Sequence, residues 1–396
     1  MDDALDALRE QVLAEIDRLT PELIRVARHI FDHPEVKFEE FEAMRTLSGT
    51  LEEAGFKVDR GVAGLPTAFV AQVEGKPGGP SVGLLGEYDA LPELGHACGH
   101  HQIGSMALGA ALALKKVLSQ LEGQVVYIGT PAEEMAGGGK IILAEAGVFD
   151  QLDAAMLVHP ADRTVVEAYS LCGGKVVFSF RGKTAHAAAA PDMGINALDA
   201  LLLTYNGINA LRQHLRPDVR IHGIITRGGD AYSAVPELTE AVFSVRAADY
   251  TYREETLQKV IRCAQAGALA TGATLTVDAS STVREMRTNF ALAHAFAGHC
   301  EQLGYQVEPA DKDALGGTDM GNVSHVVPTI HPHFAVAPRG TPAHTREFAQ
   351  ATASEAGLQR MVAATKVMAL TALDFLTRPV LREEVSREFL GNSREG

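Results

Sequence analysis

Residues 95–104 read GHACGHHQIG: three histidines and a cysteine set between glycines, ahead of an apolar, alanine-rich run. Cysteine and histidine are the side chains that best bind zinc and related metals. Cys98 and His100 are two positions apart, so an ideal helix would point them to different sides, and to share a ligand they must sit on a turn. Gly95 and Gly99 permit the backbone of such a turn, with a helix beginning near His101. A thiolate at that helix start would be favoured by the free N–H groups of the first turn. Taken alone, the pair is more simply read as a histidine-containing turn with one buried cysteine, and decides little.

Three further places carry ligand chemistry. In GTPAEEMAGGGK, Glu133 and Glu134 follow a strand-like apolar run, so they lie where open α/β sheets gather their ligands. Two adjacent acids there repel unless a cation or a shared proton relieves them; one could hold a metal while the other takes a proton from water. A solvated loop pair is the alternative. The glycines with Lys140 faintly resemble a phosphate loop, but the spacing fails and position 141 is Ile, which rejects nucleotide binding. His159 ends the run AAMLVHP, and His344 sits in the Gly/Pro turn of RGTPAHTREF; each by itself also fits an ordinary loop histidine. Together, Cys98, His100, Glu134, His159 and His344 offer S, N and O donors enough for two metal ions about 3.5–4 Å apart. No HExxH is present, which argues against a helix-borne single zinc.

These loops need a scaffold. The opening MDDALDALREQVLAEIDRL places Leu5, Leu8, Val12, Ile16 and Leu19 at helical spacing. A second helix is expected with Thr20 as its cap and Pro21 as its first residue, and a third from about Glu40 to Ala54, stopped by Gly55. TAFVAQVEG, PSVGLLGEYDA and QVVYIGTPAEE then read as strands separated by helical runs, which gives an α/β layer with a largely buried sheet. From about Gly173 to Glu285 the order changes to strand, helix, two strands, helix, strand. That β-α-β-β-α-β order is a split βαβ, ferredoxin-like arrangement with its own four-stranded sheet, and it reads as an inserted domain. The expected division is therefore 1–172, 173–286 and 287–396, with the outer segments forming one domain.

Composition narrows the classes. The formal net charge of -15 argues against nucleic acid or an anionic membrane as partner, since both need a basic surface. No stretch reads as membrane, and an acidic opening without a basic signal start points to the cytoplasm. Four cysteines (Cys98, Cys172, Cys263 and Cys300) without a CxxC pair make no disulfide framework. Small molecules and proteins remain as partners.

The blocks GEYDALPELGHACGHHQIG, GTPAEEMAGGGK, LVHP, GKTAHAAAAPDMGINALDAL, GGTDMGNVSHVVPTIHPHF and GTPAHT, in this order over nearly the whole chain, resemble the dinuclear aminoacylase/carboxypeptidase metallopeptidases. The branch resembled contains auxin-conjugate amidohydrolases, aminobenzoyl-glutamate hydrolases and related dipeptidases. The resemblance implies a catalytic domain with a mixed sheet flanked by helices, and an inserted lid through which the protein forms a homodimer. It implies two divalent ions per subunit, zinc or manganese with cobalt also suitable, bridged by Cys98 and completed by His100, Glu134, His159 and His344. Glu133 would be the general base, Asp89 would support a ligand from behind, and His186 would reach a partner subunit's site to bond the developing oxyanion. His222, Ser233 and Arg246 are further candidates for substrate contacts. His101 and Ser233 depart from the branch, which usually has Asp or Asn at the first position and Asn at the second.

The expected activity is hydrolysis of the amide bond of an N-acyl or N-aroyl amino acid or a dipeptide by a metal-bridging hydroxide. Hydrolytic deamination of an activated aromatic or heterocyclic amine, and metal-dependent binding without turnover, are the alternatives; fold alone does not choose among them.

Overall fold

The apolar stripe that opens the chain stays on one face without interruption: Val12, Ile16, Leu19, Leu23, Val26 and Ile30 are all buried. In this computed structural model, which describes residues 2–134, 138–167, 169–279, 282–310 and 316–392, that stripe belongs to a single helix, α1 (Asp2–Asp32). The helix boundary expected at Thr20–Pro21 is therefore absent. Pro21 lies on the exposed face, and the Thr20 hydroxyl donates to the Ile16 carbonyl at 3.0 Å. Burial of the continuous stripe outweighs the one backbone hydrogen bond that proline forfeits.

The chain continues through α2 (Phe41–Glu53), β1 (Lys57–Arg60), β2 (Phe69–Glu74), β3 (Lys76–Glu87), α3 (His100–Leu118), β4 (Glu122–Thr130), α4 (Gly139–Glu145), β5 (Ala154–Met156) and β6 (His159–Ala161). Next come β7 (Cys172–Arg181), α5 (Ala197–Leu211), β8 (Arg220–Arg227), β9 (Leu238–Ala247), α6 (Tyr250–Thr271) and β10 (Thr274–Asp278). It closes with α7 (Phe290–Gln302), α8 (Met320–Ser324), β11 (Thr329–Ile330), β12 (His333–Ala335), α9 (Arg346–Ala353), α10 (Glu355–Thr377) and α11 (Pro379–Asn392). Two compact units result: Met1–Tyr169 with Met286–Gly396, and Ser170–Glu285.

The first unit is built on a six-stranded mixed sheet in the order β1-β2-β4-β3-β5-β11. β4, β3, β5 and β11 run parallel, while β2 is antiparallel to both β4 and β1. The apolar runs Val82–Leu85 and Val125–Ile128 place Leu84, Leu85, Tyr127 and Ile128 wholly out of solvent. Such runs suit strands covered on both faces. α3 packs against β3, α1 and α10, and is buried along nearly its whole length, as expected of a helix apolar on all sides. Because β3, β4 and β5 are parallel, Tyr88–Asp89, Pro131–Glu134 and Leu157–His159 all emerge at the same edge of the sheet. β6 and β12 form a separate parallel pair just beyond it.

The second unit is a four-stranded antiparallel sheet in the order β10-β7-β9-β8. One face buries Val176, Phe178, Phe180, Ala241, Phe243 and Val245 against α5 and α6. Asn196 and Asp249 cap those helices through their side-chain oxygens, so both helix starts are locally encoded. Among the described residues no helix is long and apolar enough to cross a membrane.

Candidate metal centre

The turn carrying Cys98 is shaped by Gly95 (φ +65°) and Gly99 (φ +85°). Gly99 does more than permit the backbone: a Cβ there would lie 3.0 Å from Pro160, so its bare backbone lets this turn close onto the loop of His159. As a result Cys98 Sγ comes within 3.5 Å of His159 Nε2. His159 Nδ1 lies 2.7 Å from the Pro160 carbonyl, which places its proton there and leaves Nε2 as the ligand-capable atom.

His100 opens α3 and is fully buried. Its Nδ1 is 2.8 Å from Asp89 Oδ1, while the other Asp89 oxygen accepts the Glu134 amide at 3.0 Å. One buried carboxylate thereby orients a ring and a loop at once. His100 Nε2 faces Glu87 Oε2 at 3.4 Å and Glu134 Oε1 at 3.8 Å. His344, held in left-handed backbone (φ +62°) with its amide on the Ala97 carbonyl at 2.8 Å, brings Nε2 to 3.3 Å from Glu134 Oε1.

Electrostatics follow from this crowding. Burial pushes the Cys98 thiol up, against a smaller opposing pull from His100, so position ahead of a helix does not by itself maintain the thiolate expected from the sequence. Burial also holds the Glu133 carboxyl well above its ordinary range, and Glu87 and Asp319 push it the same way. For His100 burial works against the proton, but Asp89, Cys98 and Glu87 overcome it and raise the ring well above an ordinary histidine. Burial would raise Asp89 and Glu134 as well; contacts with His100 for the first, and with His344 and His100 for the second, lower both.

The residues fit a metal pair by their own chemistry. His100 Nε2 and Glu134 Oε1 are buried and have no hydrogen-bond partner among the described residues. Three donor sets, Cys98/His100/His159, Cys98/Glu134/His344 and His100/Glu133/Glu134, each bring their ligand atoms within 4.8 Å of one another. The five donors named from sequence thus converge on one place, with Glu133 beside them and Asp89 behind them. Met135–Gly137 of the same motif lie outside the described residues.

Several participants carry no obvious signal in the sequence. Lys140 Nζ is 2.6 Å from both Glu87 Oε1 and Asp319 Oδ1, and all three side chains are essentially inaccessible. The lysine of the phosphate-loop-like run is therefore the counter-ion of two buried acids. His331 and His333 stand around His159, with ring centroids 5.6 and 5.4 Å away. His101 turns from the donors and packs between Phe31 and His96, where burial keeps it well below an ordinary histidine, so this departure affects packing rather than the ligand set.

The other candidates belong to the second unit. His186 Nδ1 accepts the amides of Ala188 and Ala189, at 3.3 and 3.1 Å, which leaves the exposed Nε2 as a proton donor. Ser233 lies beside it, its carbonyl accepting the Ala187 amide at 3.0 Å. His222 and Arg246 occupy the same open face of the sheet, paired across β8 and β9 with Ser244 and Arg220 respectively.

The fold and the donor set define a metal-dependent hydrolase built around a parallel-strand edge. The chain belongs to peptidase family M20/M25/M40, whose model matches residues 83–374. It is 37% identical to Xaa-Arg dipeptidase of Mus musculus, over 97% of this chain and 93% of that protein. It is 32% identical to one of the subunits of p-aminobenzoyl-glutamate hydrolase from Escherichia coli (strain K12), over 98% and 94% respectively. Among solved structures, a Bacillus subtilis dinuclear metal binding peptidase from the M20 family superposes with a TM-score of 0.69 at 21% identity, covering 91% of this chain and 99% of that one.

Proposed function

We propose that this protein hydrolyses the amide bond of an N-acyl or N-aroyl amino acid or a dipeptide, using two divalent ions, zinc or manganese, held by Cys98, His100, Glu134, His159 and His344. The observation that carries this reading is the convergence of these donors, from four separate loops, beside a further, half-buried acid, Glu133. Relatives that act as a dipeptidase and as an aroyl-amino-acid hydrolase support the substrate class.

Bound there, a metal pair supplies Lewis acidity toward an amide carbonyl and toward water. Water adds to the amide carbon as Glu133 takes one of its protons. The C–N bond then breaks as Glu133 returns that proton to the departing nitrogen, leaving a carboxylic acid and an amine. Asp89 fixes the ring of His100 and the backbone of Glu134, so neither donor has to reorganise during the reaction. His186 donates Nε2–H to the oxygen that gains charge as the carbon becomes tetrahedral, and the tautomer set by its two backbone contacts suits that role. His222, Ser233 and Arg246 contribute to holding the substrate.

In this reading the second unit is a lid that closes over the substrate and joins two copies, so that His186 serves the partner's site. Its edge strand β8 exposes Ile224 and Ile225, and α5 exposes Leu202 and Leu203, an apolar surface suited to a second copy. The four unpaired thiols suit a reducing cytoplasm.

The test measures metal equivalents and turnover of an amide panel for wild type, Cys98→Ala and Glu133→Gln, each exposed equally to manganese and zinc. Glu133→Gln is expected to keep two equivalents and lose at least about a hundredfold in turnover. Cys98→Ala is expected to lose half or all of the metal. A Glu133→Gln variant that turns over normally would overturn the assignment of the base.

A further inference from the structure

We propose that Glu40 is a positioning residue for this reaction, its carboxylate clamping the turn that presents Glu133 and Glu134. Glu40 is completely buried, 92 positions away in sequence from the residue it holds. Its Oε1 accepts the amides of Ala132, at 3.0 Å, and Phe38, at 2.9 Å, while Oε2 accepts the Thr67 hydroxyl at 2.9 Å. Its partners are two amides and an alcohol rather than a cation. Burial pushes the Glu40 carboxyl up and these hydrogen bonds pull it back, so what this group offers in either protonation state is acceptor oxygen.

The residue it holds is unusual. Ala132, buried and immediately before Glu133, adopts φ +59°, backbone that an L side chain rarely visits. Such a conformation persists only where the surroundings over-determine it. Glu40 supplies that constraint through the Ala132 amide, and the turn aims the two acids that follow. The same segment also reaches the neighbouring strand end: the Glu35 carbonyl accepts the Ala90 amide at 2.8 Å, and Thr67, the Glu40 partner, accepts the Tyr88 hydroxyl on its carbonyl at 2.5 Å. Tyr88 and Ala90 flank Asp89. Residues 35–40 therefore register the loop of Asp89 against the loop of Glu133.

This inference rests on the reading of Glu133 as base, and the experiment separates the two. A cycle of wild type, Glu40→Ala, Ala132→Gly and the double variant is assayed for kcat, KM and metal equivalents on the amide that wild type turns over fastest, with Glu40→Gln and Glu133→Gln alongside. Glu40→Ala is expected to lower kcat about a hundredfold with KM and metal content unchanged, the effect of a small misplacement of a reacting group. Glu40→Gln, which keeps an acceptor toward Ala132, restores most of the rate. In the Ala132→Gly background, where positive φ carries no penalty, removal of Glu40 costs clearly less. If Glu40→Ala does not fold, Thr67→Val, which removes the donor to Oε2, takes its place in the cycle with the same expected pattern. An unchanged kcat, an equal loss in both backgrounds, or a loss that tracks lost metal overturns the inference while an inactive Glu133→Gln leaves the base assignment standing. A fully active Glu133→Gln overturns both.

Discussion

Replacing Asp374 by Asn tests whether the helical layer over the sheet is held by one buried charge. Asp374 lies near the end of α10 and joins three elements. Its Oδ1 accepts from Arg9 of α1 at 2.7 Å, and its Oδ2 lies 3.2 Å from His299 of α7 and 3.0 Å from Arg378. Only 3% of the side chain is exposed, so solvent screens little of this. Burial opposes ionisation, but the contacts with His299 and Arg9 prevail and bring the carboxyl from 3.8 down to about 2. A folded-state value below the unfolded one stabilises the protein above the unfolded value, and that contribution is lost as pH falls through the folded one. At 1.36 kcal/mol per pH unit, the difference is worth roughly 2 kcal/mol at pH 7, and about half of that remains at pH 3. Asn keeps the shape, loses the charge and turns one acceptor into a donor. Urea unfolding of wild type and Asp374→Asn, followed by circular dichroism at several pH values between 7 and 3, reads the gap directly, and ionisation of the metal ligands is common to both proteins. A gap below about 0.5 kcal/mol at pH 7, the scale of an ordinary surface substitution, or one constant over the whole range, would refute the reasoning.

Lys140→Met leaves Glu87 and Asp319 buried without their shared cation and is expected to cost about 3–5 kcal/mol. Adding Glu87→Gln and Asp319→Asn should recover part of that loss in chemical denaturation; a triple variant less stable than the single one would count against charge pairing as the cause. If the second unit joins two copies, as proposed, Ile224→Glu, at an exposed position of the edge strand β8, is expected to halve the mass seen by sedimentation velocity without unfolding that unit. An unchanged mass would overturn the joining of two copies through this strand.

The local periods and donor types are legible along the chain. Apolar alternation and glycine stops mark the strands of both units, and the order of strands and helices from about Gly173 points to a separate four-stranded sheet, whose strand order β10-β7-β9-β8 only the structure supplies. Cys98, His100, Glu134, His159 and His344 are recognisable because thiol, imidazole and carboxylate donors recur in loops that follow apolar runs. Those properties belong to each segment and its immediate neighbours, and they survive without knowledge of what packs against it. Pro21 shows the limit: a locally sound helix-start signal is overridden because the apolar stripe through Leu19 and Leu23 is buried as one face. The pairing of Lys140 with Asp319, 179 positions apart, and of Glu40 with Ala132 is invisible to any window of sequence. Only the ordering of the parallel strands brings those loops to one edge, and only burial there makes an unpartnered charge or amide costly enough to demand those partners.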